Sequence, residues 1–383
     1  MFKRPLHVAC LLMPLVAASA PIGAEPSSQF SDVVSTEVAL TLAQVGGDDR
    51  PETILVLKQS ATHVEALNLS KHYRSYPADS LDLVAQIGYQ ALVRPSRDPA
   101  QTRQIIAKQA LILAPALSSS HVAAGTNYKE HGEEAGIGSV FLFPKFSQPV
   151  MEPVQIKWHG DALLDYEVEM CVRFQQDIDS MAAFEASLKA FSLCGDFTDR
   201  ATLLRKLDTD DVASGRGFTD AKSGKNLMPL GLYSVVANDW RGFLDQVEIS
   251  LSVNGKLRQK TMVREMIKPL DHLMADLLAS KGKRQWLFAG NSIPLTQTDG
   301  LQKGQILLTG TPQGVVYNQP SWGAKIWGGF LWAVSFSFLE HSAVEHVLLR
   351  QIAAGLESKA YLQPGDRVAL NSNHLGSIQV MIK

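Results

Sequence analysis

Alternation of apolar and polar side chains from Leu163 to Val172 predicts a strand that carries two carboxylates on one face. Side chains of a strand reverse direction at every residue, so Glu167, Glu169 and Cys171 share one face, and Tyr166, Val168, Met170 and Val172 the other. Other β patterns follow along the chain. Thr53–Leu57 is a short β-prone run, Phe191–Cys194 reads as a strand leaving into a loop, and Val247–Met262 reads as a hairpin about Asn254-Gly255. A strand leads into Leu307-Leu308, and Pro364-Gly365-Asp366 turns into the first of two closing strands. Two stretches read as helical. Thr102–Ala110 has a helix-like composition, and Asn127 followed by Glu130 is a helix-start signal that places His131 and Glu134 on one helix face.

Punctuation divides the chain of 383 residues. Lys3 and Arg4 precede an apolar run from Leu6 to Ala20, which predicts a cleaved signal peptide over residues 1–24, ahead of an uncleaved anchor, and export, most simply to a periplasm. The run is short for a membrane span of about 20 residues. A small mixed unit follows over residues 25–113. Pro115 and Ser118-Ser119-Ser120 then mark a boundary before a larger unit over 114–383.

Composition narrows the partners. A hydrophobic share of 45% suits a globular chain, and a net charge of -2 with no Lys/Arg run gives no footprint for nucleic acid. Loss of residues 1–24 would remove two cations and no acids, so 34 Lys+Arg against 38 Asp+Glu leave -4. The partner expected is a small molecule. Only Cys171 and Cys194 remain after the leader, too few for a disulfide framework, and their spacing does not decide whether they pair.

Candidate chemistry gathers at a few places. Two carboxylates on one rigid face repel unless a cation joins them, and a hard divalent metal is the natural one. Asp196 could complete a three-carboxylate set, and Arg200 could meet an anionic substrate. A carboxylate beside an imidazole, as in His131 and Glu134, holds one tautomer and suits activation of water. Gly215–Asn226, which contains Lys222, reads by composition as a basic, glycine-punctuated loop.

In their order, five segments resemble the fumarylacetoacetate hydrolase family: Asn127-Tyr128-x-x-His131-x-x-Glu134, Asp165-Tyr166-Glu167-Val168-Glu169, Val253-Asn254-Gly255, Thr309-Gly310-Thr311-Pro312-x-Gly314-Val315 and Pro364-Gly365-Asp366. The likeness runs from about Leu111 to the C-terminus. It implies a mostly β, α+β fold with a catalytic domain of rolled mixed sheets, a smaller N-terminal domain, and homodimers. It also implies a Mg²⁺, Mn²⁺ or Ca²⁺ ion held by Glu167, Glu169 and Asp196. The same resemblance makes His131 and Glu134 the dyad, Lys222 the active-site lysine, and Arg200, Thr311 and Tyr128 substrate contacts. The activity implied is metal-dependent cleavage of carbon-carbon bonds in β-diketo acids such as acylpyruvates. Decarboxylation of oxaloacetate, keto-enol isomerisation, or noncatalytic binding of a keto acid are the alternatives.

The chain departs from the family after Lys222, where it has Ser223-Gly224-Lys225-Asn226, and around Asp196, where it has Gly-Asp-Phe-Thr-Asp-Arg. A further departure is an aromatic-rich insertion at about 317–357, with Trp322, Trp327, Trp332, Phe336 and Phe338 and no charge between Lys325 and Glu340. Helix packing or a dimer contact is the expected role, ahead of a lid or a membrane-surface contact.

Overall fold

The computed structural model describes residues 30–47, 50–208, 210–211, 214–282, 285–317, 331–332 and 342–383. The expected leader lies outside these residues, as do Trp322, Trp327, Phe336 and Phe338 of the insertion. The fold is α+β and dominated by mixed sheets that do not close into a barrel.

The strands that position the site are β1 (Ala39–Val45), β2 (Glu52–Gln59), β3 (His63–Asn68), β4 (Gln104–Ala107), β5 (Ser120–Gly125), β6 (Phe141–Phe146), β7 (Val154–Ile156), β8 (Val168–Phe174), β9 (Lys189–Gly195), β10 (Ser234–Ala237), β11 (Glu248–Val253), β12 (Lys256–Met262), β13 (Ile306–Leu308), β14 (Arg367–Ser372) and β15 (Gly376–Ile382). The larger sheet has twelve strands and runs β4-β3-β2-β1-β10-β9-β8-β13-β5-β6, with two short strands pairing beside this path. Its pairs are antiparallel except β13 with β5. The smaller sheet runs β12-β11-β14-β15-β7. Strands that precede residue 113 thus enter the same sheet as those that follow, through β1 and β10.

Every residue of β8 and β9 is buried. Their Val, Leu, Phe and Met side chains each contribute roughly 1.5–3 kcal/mol of burial, which makes this central pair the rigid support for whatever its ends carry. Buried Arg173 on β8 reaches across to the Asp79 carboxylate and to Ser234 Oγ at 3.0 Å, so an ion pair ties the early segment to the central strand.

The Asn254-Gly255 hairpin forms as expected, with φ of 52° and 78° at the two turn residues. Three expectations need correction. The strand expected over Leu163–Val172 is interrupted at Tyr166 and Glu167: Leu164–Asp165 pairs with Thr198–Asp199, whereas β8 pairs with β9. The helix expected over Thr102–Ala110 is β4 followed by a single 3₁₀ turn, because pairing with β3 outweighs local propensity. Asn127 does not cap the helix that follows. Tyr128 occupies that position, while the Asn127 amide bridges the Thr309 carbonyl at 2.9 Å and the Lys268 backbone.

Candidate active site

Three short segments deliver the carboxylates. Glu169 lies on β8, Glu167 just before it, and Asp196 just after β9. Register brings them together: Val168 stands opposite Gly195 and Glu169 opposite Cys194, so the end of β9 leaves Asp196 beside Glu167. The Asp196 N–H donates to the Glu167 carbonyl at 3.0 Å. One carboxylate oxygen from each residue lies within 4.8 Å of the others, and all three side chains are buried. A disulfide between Cys171 and Cys194 joins the two strands within two residues of Glu169 and Asp196.

Three buried cations surround the triad. Lys222, at the end of helix Phe218–Lys222, donates to Glu167 Oε2 at 2.5 Å and Asp196 Oδ2 at 2.9 Å. Arg200, at the start of helix Arg200–Lys206, donates to Asp165 Oδ2 at 2.9 Å and Glu167 Oε1 at 2.6 Å. Lys145 on β6 donates to Asp196 Oδ1 at 2.7 Å and to the Lys222 carbonyl. Lys145 and Asp165 carry no assigned role in the sequence reading. A lone lysine inside the apolar run Phe141–Phe146 is the signal that would have found the first.

The electrostatics are uneven across the triad. Burial alone would raise the Glu167 carboxyl, but Lys222 and Arg200 outweigh it and hold the group below its usual range. Burial, Asp196 and Glu167 together push Glu169 well above that range. No described lysine or arginine pairs with Glu169; the Gly310 N–H reaches its Oε2 at 2.7 Å. Gly310 has φ of 101°, and a Cβ there would come within 2.8 Å of the Asn127 Cβ. Only glycine presents that N–H without strain.

This donor set fits a hard divalent ion. It is all oxygen, and Glu169 is a buried carboxylate with no ion-pair partner among the described residues, which burial makes costly. With Glu169 ionised, Asp165, Glu167, Glu169 and Asp196 are four carboxylates against the cations Lys145, Lys222 and Arg200, an excess of one negative charge among the described residues of the cluster. A dication would turn that excess into a single positive charge.

His131 and Glu134 lie three residues apart on helix Lys129–Ala135, with His131 Nδ1 3.6 Å from Glu134 Oε2. That exceeds a hydrogen bond, and the buried Nδ1 has no other partner among the described residues. Both Glu134 oxygens accept from the Gly314 N–H, at 3.0 and 3.1 Å. The Thr311 hydroxyl donates to the Val168 carbonyl at 2.9 Å and accepts from Gln259 Nε2 at 3.0 Å. Tyr128 is buried and its hydroxyl has no hydrogen-bond partner among the described residues.

A pocket of about 60 Å³ opens at this cluster. His131, Glu167, Arg200, Lys222 and Thr311 line it; Tyr128, Glu134, Glu169 and Asp196 are not part of its wall. The same wall carries apolar side chains, Ala135, Ile137, Leu203, Leu207 and Phe218, drawn from the helices that present His131, Arg200 and Lys222 and from the turn after the first. Tyr317 closes one side, its ring 5.4 Å from the Arg200 guanidinium. The described part of the insertion reaches this region indirectly: helix Ala343–Ser358 packs through Ile352 against Ala201 and Leu204 of the helix that begins with Arg200. No helix among the described residues is long and apolar enough to cross a membrane.

Comparisons with known proteins agree with this fold. The sequence model of the fumarylacetoacetate (FAA) hydrolase C-terminal family matches residues 120–383. An uncharacterized protein of Staphylococcus aureus strain USA300 is 22% identical over 346 residues, which cover 88% of this chain and 87% of that one. A second, from Staphylococcus epidermidis, is 23% identical over 268 residues, covering 68% of this chain and 67% of the relative. Among solved structures, maleylpyruvate hydrolase from Sphingobium sp. SYK-6 superposes with a TM-score of 0.52 at 18% identity, over 90% of this chain and 99% of that one. The same enzyme in complex with manganese(II) and pyruvate gives 0.51 at 18% identity, over 90% and 98%.

Proposed function

The chain belongs to the fumarylacetoacetate hydrolase family, and we propose that it is a divalent-metal-dependent hydrolase of acylpyruvate-type β-diketo acids. One observation carries the reading: His131, with Glu134 behind it, lines the same pocket as Glu167, Arg200, Lys222 and Thr311. A water-activating pair facing the anion-binding groups is what hydrolysis needs and what binding alone does not.

Glu167, Glu169 and Asp196 would hold the ion, with Mg²⁺ or Mn²⁺ favoured by the oxygen donors. When bound, it would supply Lewis acidity at the adjacent carboxylate and keto oxygens of the substrate. His131 takes a proton from water, which adds to the distal carbonyl, and Glu134 supports the imidazolium. The bond between that carbonyl carbon and the neighbouring methylene breaks, its electron pair passes to the pyruvate fragment, and a proton returns there. The products are a carboxylic acid and pyruvate.

Lys222 is suited to stand beside the developing negative charge. Burial works against its ammonium form, but Asp196 and Glu167 outweigh burial and keep the group protonated. Arg200 holds the substrate carboxylate end while Asp165 fixes its guanidinium.

The test is pyruvate release from acetylpyruvate with Mg²⁺ or Mn²⁺ and with chelator, in the wild type and in His131→Ala. Metal-dependent pyruvate formation that His131→Ala lowers by 10²-fold or more supports hydrolysis. Turnover of oxaloacetate or of a keto-enol pair that survives His131→Ala favours decarboxylation or isomerisation instead. Export belongs to the same proposal. The Cys171–Cys194 bridge suits an oxidising compartment, and recovery of the chain only from the cytosol of the native cell would contradict export.

A further inference from the structure

We infer that the substrate is a monocarboxylate whose distal acyl group is apolar, rather than a dicarboxylate. The inference rests on the hydrolase reading for the identity of the reacting end, and on the pocket wall for the other end. All cations of the described wall belong to the charged cluster: Arg200 is held by Asp165 and Glu167, Lys222 by Glu167 and Asp196, and His131 lines the same pocket. Apolar side chains make up much of the remaining described wall: Ala135, Ile137, Leu203, Leu207 and Phe218. Phe218 is held in place by Phe141 and Phe143, with ring centroids 4.9 and 5.7 Å away.

Charge balance points the same way. With Glu169 in its charged form, the four buried carboxylates and three buried cations of the described cluster leave one negative charge, a divalent ion would make this one positive charge, and one substrate carboxylate would restore neutrality. A second carboxylate would have no counter-charge and would be desolvated against Leu203, Leu207 and Phe218, which is costly for an unpaired ion. An alkyl or aryl group would instead gain burial on the same surface.

Two ligands of equal carbon number isolate the effect. Calorimetric titration of 2-oxohexanoate and 2-oxoadipate into the Mn²⁺-loaded protein should show the first binding at least tenfold tighter. Leu207 is only partly buried at the end of its helix, so Leu207→Arg can place a cation at this wall without filling the core. That variant should narrow the ratio or reverse it. Pyruvate release should follow the same order, with hexanoylpyruvate turned over faster than fumarylpyruvate.

Equal or tighter binding of 2-oxoadipate by the wild type overturns the inference, even if acetylpyruvate is hydrolysed. Preference for 2-oxohexanoate without pyruvate release from any acylpyruvate upholds it and overturns the hydrolase reading instead.

Discussion

Lys145 and Asp196 form an ion pair at 2.7 Å in which neither side chain is more than 1% exposed. The pair spans 51 residues of sequence and attaches β6 to the end of β9, where the carboxylate cluster is set. Burial and the neighbouring Lys222 work against the Lys145 ammonium, while Asp196 favours it. Removing one partner of a buried pair typically costs about 3–5 kcal/mol because the other charge is left behind. Lys145→Met is therefore expected to destabilise the metal-free protein by about 3 kcal/mol. Added Mn²⁺ should recover part of the loss, since a dication replaces the missing charge. Differential scanning calorimetry with and without Mn²⁺ checks both statements: the metal-induced rise in Tm should be larger in the variant than in the wild type.

Glu169 should behave in the opposite sense. Its carboxyl is pushed up by burial and by Asp196 and Glu167, so its charge opposes folding until an ion arrives. Glu169→Gln keeps an acceptor for the Gly310 N–H and removes the repulsion. The metal-free variant is expected to be more stable by about 1 kcal/mol, and to show no metal-induced rise in Tm. A rise equal to that of the wild type would remove Glu169 from the ligand set.

Acid should unfold the protein partly through His121. Burial, then Lys145 opposite it in the sheet, depress this imidazole to about 3. The neutral ring accepts from the Ile306 N–H at 3.1 Å and donates to the Ser147 carbonyl at 3.1 Å, so protonation would break the first bond. An unfolded histidine takes up its proton near pH 6.5. Between that pH and about 3 the unfolded chain binds more protons than the folded one, and stability falls as pH falls. His121→Gln can supply one acceptor and one donor without titrating. Its denaturant midpoint should change less between pH 7 and pH 4 than that of the wild type.

The disulfide closes a loop with a sequence separation of 23 residues. Chain-entropy arguments place the stabilisation from such a loop at about 3 kcal/mol. The double variant Cys171→Ala with Cys194→Ala should lose about that much in urea denaturation, and reductant should have no further effect on it. Wild-type stability unchanged by full reduction would contradict the assignment.

Asp79 offers a test of how the early strands are held. Its carboxylate pairs with Arg173 and also accepts from the Leu81 N–H at 2.8 Å at the start of helix Ser80–Ile87. Asp79→Ala removes both and is expected to cost about 4 kcal/mol, whereas Asp79→Asn keeps the cap and should cost about 1 kcal/mol less. Equal losses in the two variants would show that the cap contributes nothing.

Some of this protein was legible in residue order alone, because the physics involved is local. The Glu-x-Glu spacing kept Glu167 and Glu169 within reach of one site although the strand begins only at Val168, a helix turn placed His131 beside Glu134, and Asn254-Gly255 made a tight reversal. Other features depend on which distant segments meet, and no local periodicity carries that information. Pairing with β3 made a strand of Gln104–Ala107 despite its helical composition, and the switch of partners at Tyr166 broke an otherwise continuous strand. The offset of β8 against β9 brought Cys171 to Cys194 and Asp196 to Glu167. The roles of Lys145 and Asp165 emerged in the same way, since an isolated charge in an apolar run is costly until its counter-charge arrives from elsewhere in the chain. Sequence determined which groups were available and how they could be aimed within one element; register between elements decided which charges would share a buried site.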